Sequence, residues 1–241
     1  MKRIKTSTLP ILLGIFTIGI FAACSPDTPE DEGKNKLHED PTKAVFTLVE
    51  GKLKAGKAFD AMPHEEDFEA TGKTQTIVWE VIKGEHFKTS DAGQDRFYVK
   101  SIKQNPDVVY SLKIDYYNRE GKIMNNQFFD NEQDRIHQHF FEYFENGARI
   151  GKKENLPYDY TYADTYNGKF IGATNPMGFF GFMRFVQSNK KFNLKVELMH
   201  AGRSSKFNQD GSVSPFYKPS KEQKGLALWD LSVTLPIEIA E

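Results

Sequence analysis

Apolar and polar residues alternate along most of this chain. In 108–116, Val108, Tyr110, Leu112, Ile114 and Tyr116 share one face, while Val109, Ser111, Lys113 and Asp115 share the other. Successive side chains of a strand point to opposite sides, so strict period two marks an antiparallel strand with one buried face. Residues 192–200 repeat the pattern with Phe192, Leu194, Val196 and Leu198 inward and Asn193, Lys195 and Glu197 outward. Residues 229–235 put Trp229, Leu231, Val233 and Leu235 on one side. Further strands are predicted over 44–53, 74–83, 95–102, 122–129, 135–144 and 179–187. Turn signals such as Lys83-Gly84-Glu85, Arg119-Glu120-Gly121 and Gln209-Asp210-Gly211 separate them. No amphipathic pattern of three helical turns interrupts the series. The expectation is an all-β fold, an antiparallel β-sandwich. The charged, Gly-rich and loop-like stretch 145–176 suggests a break. Two tandem units of immunoglobulin-like or transthyretin-like size would then span 43–145 and 146–241. A weak echo between LVEGKLKAGKAF (48–59) and VELMHAGRSSKF (196–207) agrees with that division.

The beginning of the chain follows a different pattern. Lys2, Arg3 and Lys5 precede an uncharged apolar run from Leu9 to Ala23, which is too short for a comfortable membrane span. The run ends in Phe21-Ala22-Ala23-Cys24, which resembles a lipobox with Phe21 where Leu is usual. Residues 1–23 are therefore read as a lipoprotein signal peptide and Cys24 as the lipidated first residue of the mature chain. Residues 24–42 are rich in Pro, acids and polar groups and read as a flexible acidic tether. Ser25 after the cysteine resembles lipoproteins passed on to an outer membrane. The acidic run Glu30, Asp31, Glu32 resembles a surface-export tag, or is simply a solvated linker.

Composition narrows the chemistry. Cys24 is the only cysteine, so the folded part has neither a disulfide nor a cysteine-based zinc site. The chain carries 32 basic and 33 acidic residues, and three of the basic ones lie in the leader. The mature chain is mildly acidic and has no basic block, which excludes nucleic acid as a partner. Phe (20) and Tyr (10) are plentiful and suit strands.

Nucleophile-elbow, zinc-protease, phosphate-loop and dinucleotide motifs are all missing. The most distinctive segment is 133–141, Gln-Asp-Arg-Ile-His-Gln-His-Phe-Phe. On a strand, His137 and His139 point to the same face. Such a pair can share a transition metal or approach a haem, with a further ligand needed, and His200 beside Met199 is the first candidate. His64 and His86 are others. Phe141 and Tyr143 continue the histidine face, and with Met199 they are the candidate ligand-contacting residues. The alternative is that the histidines only hydrogen-bond to loop backbone and organise a bend. The acids at 65–67 read as a charged loop. The aromatic run 176–185 reads as a buried strand or an apolar groove. The long loop 202–226 offers Phe216 and Tyr217 as exposed aromatics.

The leader, the acidic tether, QDRIHQHFF, VELMHAGRSSKF and SPFYKPS (214–220) together resemble a family of Bacteroidota outer-membrane lipoproteins of unassigned function. The resemblance covers most of the mature chain and carries no activity with it. It implies a lipid-anchored, non-enzymatic binding protein that assists nutrient capture, of haem or a transition metal ion among others. Its partners would be the membrane, through Cys24, and an outer-membrane receptor or transporter. A structural or adhesive surface module and a hydrolase with an unrecognised site are the alternatives.

Overall fold

The alternating segments become the strands of two sheets. The computed structural model describes residues 37–81, 87–89 and 93–241. Residues 1–36 lie outside the described set, and so do His86 and the turn at 83–85. The first sheet is built from β1 (Lys43–Leu53), β2 (Phe68–Val81), β3 (Phe87–Thr89), β5 (Val109–Tyr117), β8 (Tyr158–Tyr162) and β11 (Phe180–Phe185), in the order β3-β2-β1-β5-β11-β8. The second is built from β4 (Phe97–Val99), β6 (His137–Glu145), β7 (Ala148–Arg149), β12 (Lys190–His200) and β13 (Leu228–Ile239), in the order β4-β13-β12-β6-β7. A two-residue pair, β9 (Thr165–Tyr166) with β10 (Lys169–Phe170), stands apart. All pairings are antiparallel except β13 with β4. The inner faces meet in one core. Phe46, Leu48, Tyr110, Leu112 and Ile114 come from the first sheet, and Phe141, Leu194, Val196, Leu198, Val233 and Leu235 from the second.

The fold class is as expected, but the division into two units is not. Strands from both halves of the sequence enter both sheets, and residues 37–241 form one unit. The supposed boundary at 145–146 is a tight hairpin between β6 and β7, with Asn146 at φ 51° and Gly147 at φ 78°. Two positive φ values in a two-residue loop match the right-handed twist of the paired strands. The Gly-rich composition there signals a turn.

Three local expectations also change. Segment 122–129 is no strand but holds a 3-10 turn, Asn125–Phe128. Asn125 replaces a strand neighbour with its side chain: its Nδ2 donates to the Ile114 carbonyl and its Oδ1 accepts from the Tyr116 N–H. Loop 202–226 contains a short helix, α1 (Lys221–Leu226), started by a Ser220/Gln223 capping box. Phe216 in the same loop is buried rather than exposed, against Tyr158 and Tyr160. The aromatic run 176–185 does form a buried strand, β11. Just before it, Gly178 has φ 83°, and a Cβ there would lie 2.7 Å from the Cβ of His139. Gly178→Ala combines left-handed strain with overpacking and should cost about 3 kcal/mol, read as a lower urea midpoint at unchanged m-value.

Candidate metal centre

The ladder between β6 and β12 sets His137 directly opposite His200 and His139 opposite Leu198. Both strands present these residues on the core face, as their period predicts. His137 opens β6 and His200 closes β12, so the two imidazoles meet at one end of the sandwich, with ring centroids 4.6 Å apart.

Asp230 joins them through a β-bulge. In the β12–β13 ladder Leu198 pairs with Leu231 but Met199 pairs with Trp229, so Asp230 is the extra residue. A bulge re-aims the side chains on either side of it. Asp230 therefore turns towards the histidines. Trp229, expected to share the face of Leu231, packs instead on the outer face with Phe140 and Met199. His38 arrives from the segment leading into β1. Its ring is buried 4.4 Å from that of Phe128. Residues 37–42, assigned to the tether, are thus packed in part: the Thr42 N–H donates to the Tyr117 carbonyl.

The result is a group of four potential ligands, one atom from each, all within 4.8 Å of one another: His38, His137, His200 and Asp230. His137 Nε2 stands 3.1 Å from His38 Nε2 and 3.3 Å from Asp230 Oδ2. Asp230 Oδ2 is 3.4 Å from His38 Nε2 and 3.5 Å from His200 Nδ1. A tetrahedral ion with bonds of about 2.0–2.1 Å separates its ligand atoms by about 3.3–3.4 Å. Four of the six separations in the group, 3.1 to 3.5 Å, bracket that value, and all six lie within 4.8 Å.

Hydrogen bonding fixes which ring atoms carry lone pairs. His137 Nδ1 contacts the Gln133 carbonyl at 2.8 Å, and His38 Nδ1 contacts the Glu39 carbonyl at 3.0 Å. A carbonyl can only accept, so each Nδ1 bears the proton and each neutral ring presents a bare Nε2. Two bare nitrogens and a carboxylate oxygen therefore converge. His200 Nδ1 is buried and makes no hydrogen bond. Such a set can hold a cation among these atoms, either a shared proton or a metal ion. Burial, offset in part by Asp230 and the Gln133 carbonyl, holds the His137 imidazolium below the usual histidine range, which disfavours the proton. The carbonyl bonds to His38 and His137 are those with which proteins orient metal-ligating imidazoles. The side chains of His38 and His137 are fully buried, Asp230 is 5% exposed and His200 15%.

His139 does not belong to this group. Its Nδ1 donates to the Met177 carbonyl at 2.7 Å, and its Nε2 accepts from the Tyr116 hydroxyl at 2.7 Å. Both nitrogens are occupied, so His139 has the hydrogen-bonded arrangement of the bend-organising reading, whereas His137 stands in the cluster. Met199 projects to the opposite face of the sheet, with Phe140 and Ala201. Phe141 is core, with its ring 4.2 Å from that of Tyr160, and buried Tyr143 donates to Glu145. His64 stacks on Phe170 and closes a capping box with Asp67. Asp230 was hidden because a bulge breaks the very period that located the histidines. His38 was hidden because its neighbours read as linker.

Burial pushes His139 down to about 3, against 6.5 for an ordinary histidine. Its folded pKa is depressed, so its neutral form supports the fold above pH 6.5. That support is lost as pH falls towards 3, because the unfolded state binds the proton first. His139→Gln should show a shallower loss of unfolding free energy than the wild-type chain across pH 6.5 to 4, measured by urea titration at each pH.

Comparison with protein-family models, curated proteins and solved structures gives no match to this chain.

Proposed function

We propose that this chain is a lipid-anchored, non-enzymatic binding protein of the outer membrane whose sandwich domain binds one transition metal ion. The ligands would be His38, His137, His200 and Asp230. The observation that carries the reading is the convergence of His38 Nε2, His137 Nε2, His200 Nδ1 and Asp230 Oδ2 within 4.8 Å of one another, with four of their separations at 3.1 to 3.5 Å. Three imidazoles and one carboxylate suit zinc and its late first-row neighbours, whereas calcium and magnesium require all-oxygen shells. The same spacing favours an ion over haem. Axial ligands on opposite sides of one iron would stand about 4 Å apart with a porphyrin between them, given bonds of about 2.0 Å.

The leader ending at Cys24 supports lipid anchoring. The hydrolase alternative draws no support from the clustered carboxylates. Glu142 and Glu197 stand together on the outer face of the second sheet, but Lys224 donates to both, at 2.7 and 2.6 Å. Arg149 takes a further oxygen of Glu142 and Lys195 one of Glu197. These carboxylates are neutralised by built-in cations.

The test is metal uptake by the full-length chain after chelation and dialysis. One equivalent of zinc should bind in the presence of excess magnesium. The His137→Ala/His200→Ala pair should bind at least about 100-fold more weakly. Equal uptake by both proteins would overturn the reading.

A further inference from the structure

The alternation of β13 would carry Trp229 inward with Leu231, Val233 and Leu235, and Asp230 outward. A regular continuation from the Leu198–Leu231 pair would set Met199 opposite Asp230 and His200 opposite Trp229. The observed ladder sets Met199 opposite Trp229 and His200 opposite Leu228. Residues directly opposite each other share a face. Trp229 therefore goes outward with Met199, and Asp230 turns to the inner end with His38, His137 and His200. Register thus decides whether an indole or a carboxylate reaches the cluster. The outer face is built to receive the indole. Trp229 packs on the buried group Phe140, Met199 and Ala201, with its ring 6.2 Å from that of Phe140. The Lys224 ammonium stands 4.4 Å from the indole centroid, a cation–π distance. Lys224 also donates to the buried carboxylates of Glu142 and Glu197, so it cannot swing away without stripping a cation from both. Its helix α1 is pinned in turn: Gln223 Nε2 donates to the Ser205 and Lys206 carbonyls at 3.0 and 3.3 Å.

We propose that Trp229 is a positioning residue of the metal site: its seat on the outer face holds the β13 bulge, and the bulge delivers Asp230 to the ion. This rests on the metal reading above and adds how the carboxylate ligand is put in place. It also gives the Glu142–Glu197–Lys224 group a role. That group fixes, from the outer face, a residue whose neighbour works on the inner one. The two faces are coupled because a one-residue slip in a ladder turns each side chain it moves to the other side. A bulge carries an extra residue that disrupts the ladder locally, so it persists only where side chains favour it. With no ring at position 229 to seat outside, the regular ladder competes with the bulge, and in that register Asp230 points away from the histidines. The ion then keeps its imidazoles and takes water in place of the carboxylate oxygen.

The experiment is a double-mutant cycle on zinc affinity, measured by competition with a chromophoric chelator on the full-length chain. It compares the wild type with Trp229→Ala, Asp230→Ala and the pair combined, and adds Trp229→Phe. Trp229→Ala should weaken zinc binding about 10- to 100-fold, the range for residues that orient metal ligands. In the Asp230→Ala background the same substitution should change affinity less than about twofold, since the ligand it positions is gone. Trp229→Phe keeps a ring on the outer face for Lys224 and should stay within about threefold of the wild type. Trp229→Leu, an apolar side chain without a ring, runs the same cycle where the alanine chain does not fold. Equal zinc affinity in the wild type and Trp229→Ala would overturn the positioning role and leave the metal reading intact. Equal losses in the two backgrounds would do the same, since Trp229 would then support the fold at large. Failure of the wild type to bind zinc would overturn the metal reading and this role with it.

Discussion

Saturating zinc should raise the unfolding temperature of the chelated full-length chain by about 8–16 °C. This follows from mass action. A ligand that binds only the folded state at a thousand times its dissociation constant adds about 4 kcal/mol, and each kcal/mol moves a domain of this size by about 2–4 °C. The three strand-borne ligands are not adjacent in sequence, so the unfolded chain presents no comparable site. The shift should vanish in the His137→Ala/His200→Ala pair. In Asp230→Asn it should be reduced but present, because the amide oxygen remains a weak ligand while the charge is lost. Magnesium at the same concentration should produce no shift. The affinity should fall with pH below about 6.5, because the imidazoles must be neutral to bind and protons compete for them. A scan in which zinc and magnesium act alike would remove the basis for a nitrogen-rich site.

The second large effect lies away from the proposed metal ligands. Asp164 is 1% exposed, and its carboxylate accepts from three backbone N–H groups, those of Met177, Gly178 and Phe180, at 3.2, 2.7 and 2.9 Å. It is the template on which the chain turns into β11. The carbonyl of the same Met177 accepts from His139, which in turn accepts from Tyr116. Asp164→Ala leaves three N–H groups facing a cavity. It should cost about 4 kcal/mol, because unmade bonds to a buried charged acceptor cost more than the bonds themselves contribute. Lys206, also buried, donates to the Asp134 carbonyl and to Asn175 Oδ1 nearby and would lose a compensating charge. Asp164→Asn should recover less than half of the loss, since its NH2 group cannot accept. Urea unfolding at neutral pH measures both variants. A cost for Asp164→Ala within about 1 kcal/mol of zero would show that the loop is held by packing alone.

The part of this structure that follows period two was legible in the sequence. β5 and β12 appear where their alternation puts them, and the same alternation placed His137 and His200 on one inner face. Legibility ended wherever a side chain or an irregularity replaced the regular ladder. Asn125 took backbone bonds of β5 with its amide and turned an expected strand into a 3-10 turn. The aromatic alternation of β8, Tyr158-Asp159-Tyr160-Thr161-Tyr162, lay inside a stretch read as loop because charges and glycines surround it. The apparent domain break was a hairpin, and pairing between distant segments, which local pattern does not encode, joined the two halves. At the site, His139 looked equal to His137, because period two says which face a residue occupies but not which neighbours it meets. Register decided the matter: His137 faces His200, and His139 faces Leu198 and the Tyr116 hydroxyl. Asp230 required a bulge and His38 a docked linker, and neither leaves a mark in hydrophobic pattern.

X-ray absorption at the zinc edge of the loaded full-length chain tests the central claim most directly. The account predicts four nitrogen and oxygen neighbours at about 2.0–2.1 Å, with the outer-shell scattering of three imidazole rings. A six-coordinate shell of oxygens without imidazole scattering would contradict it.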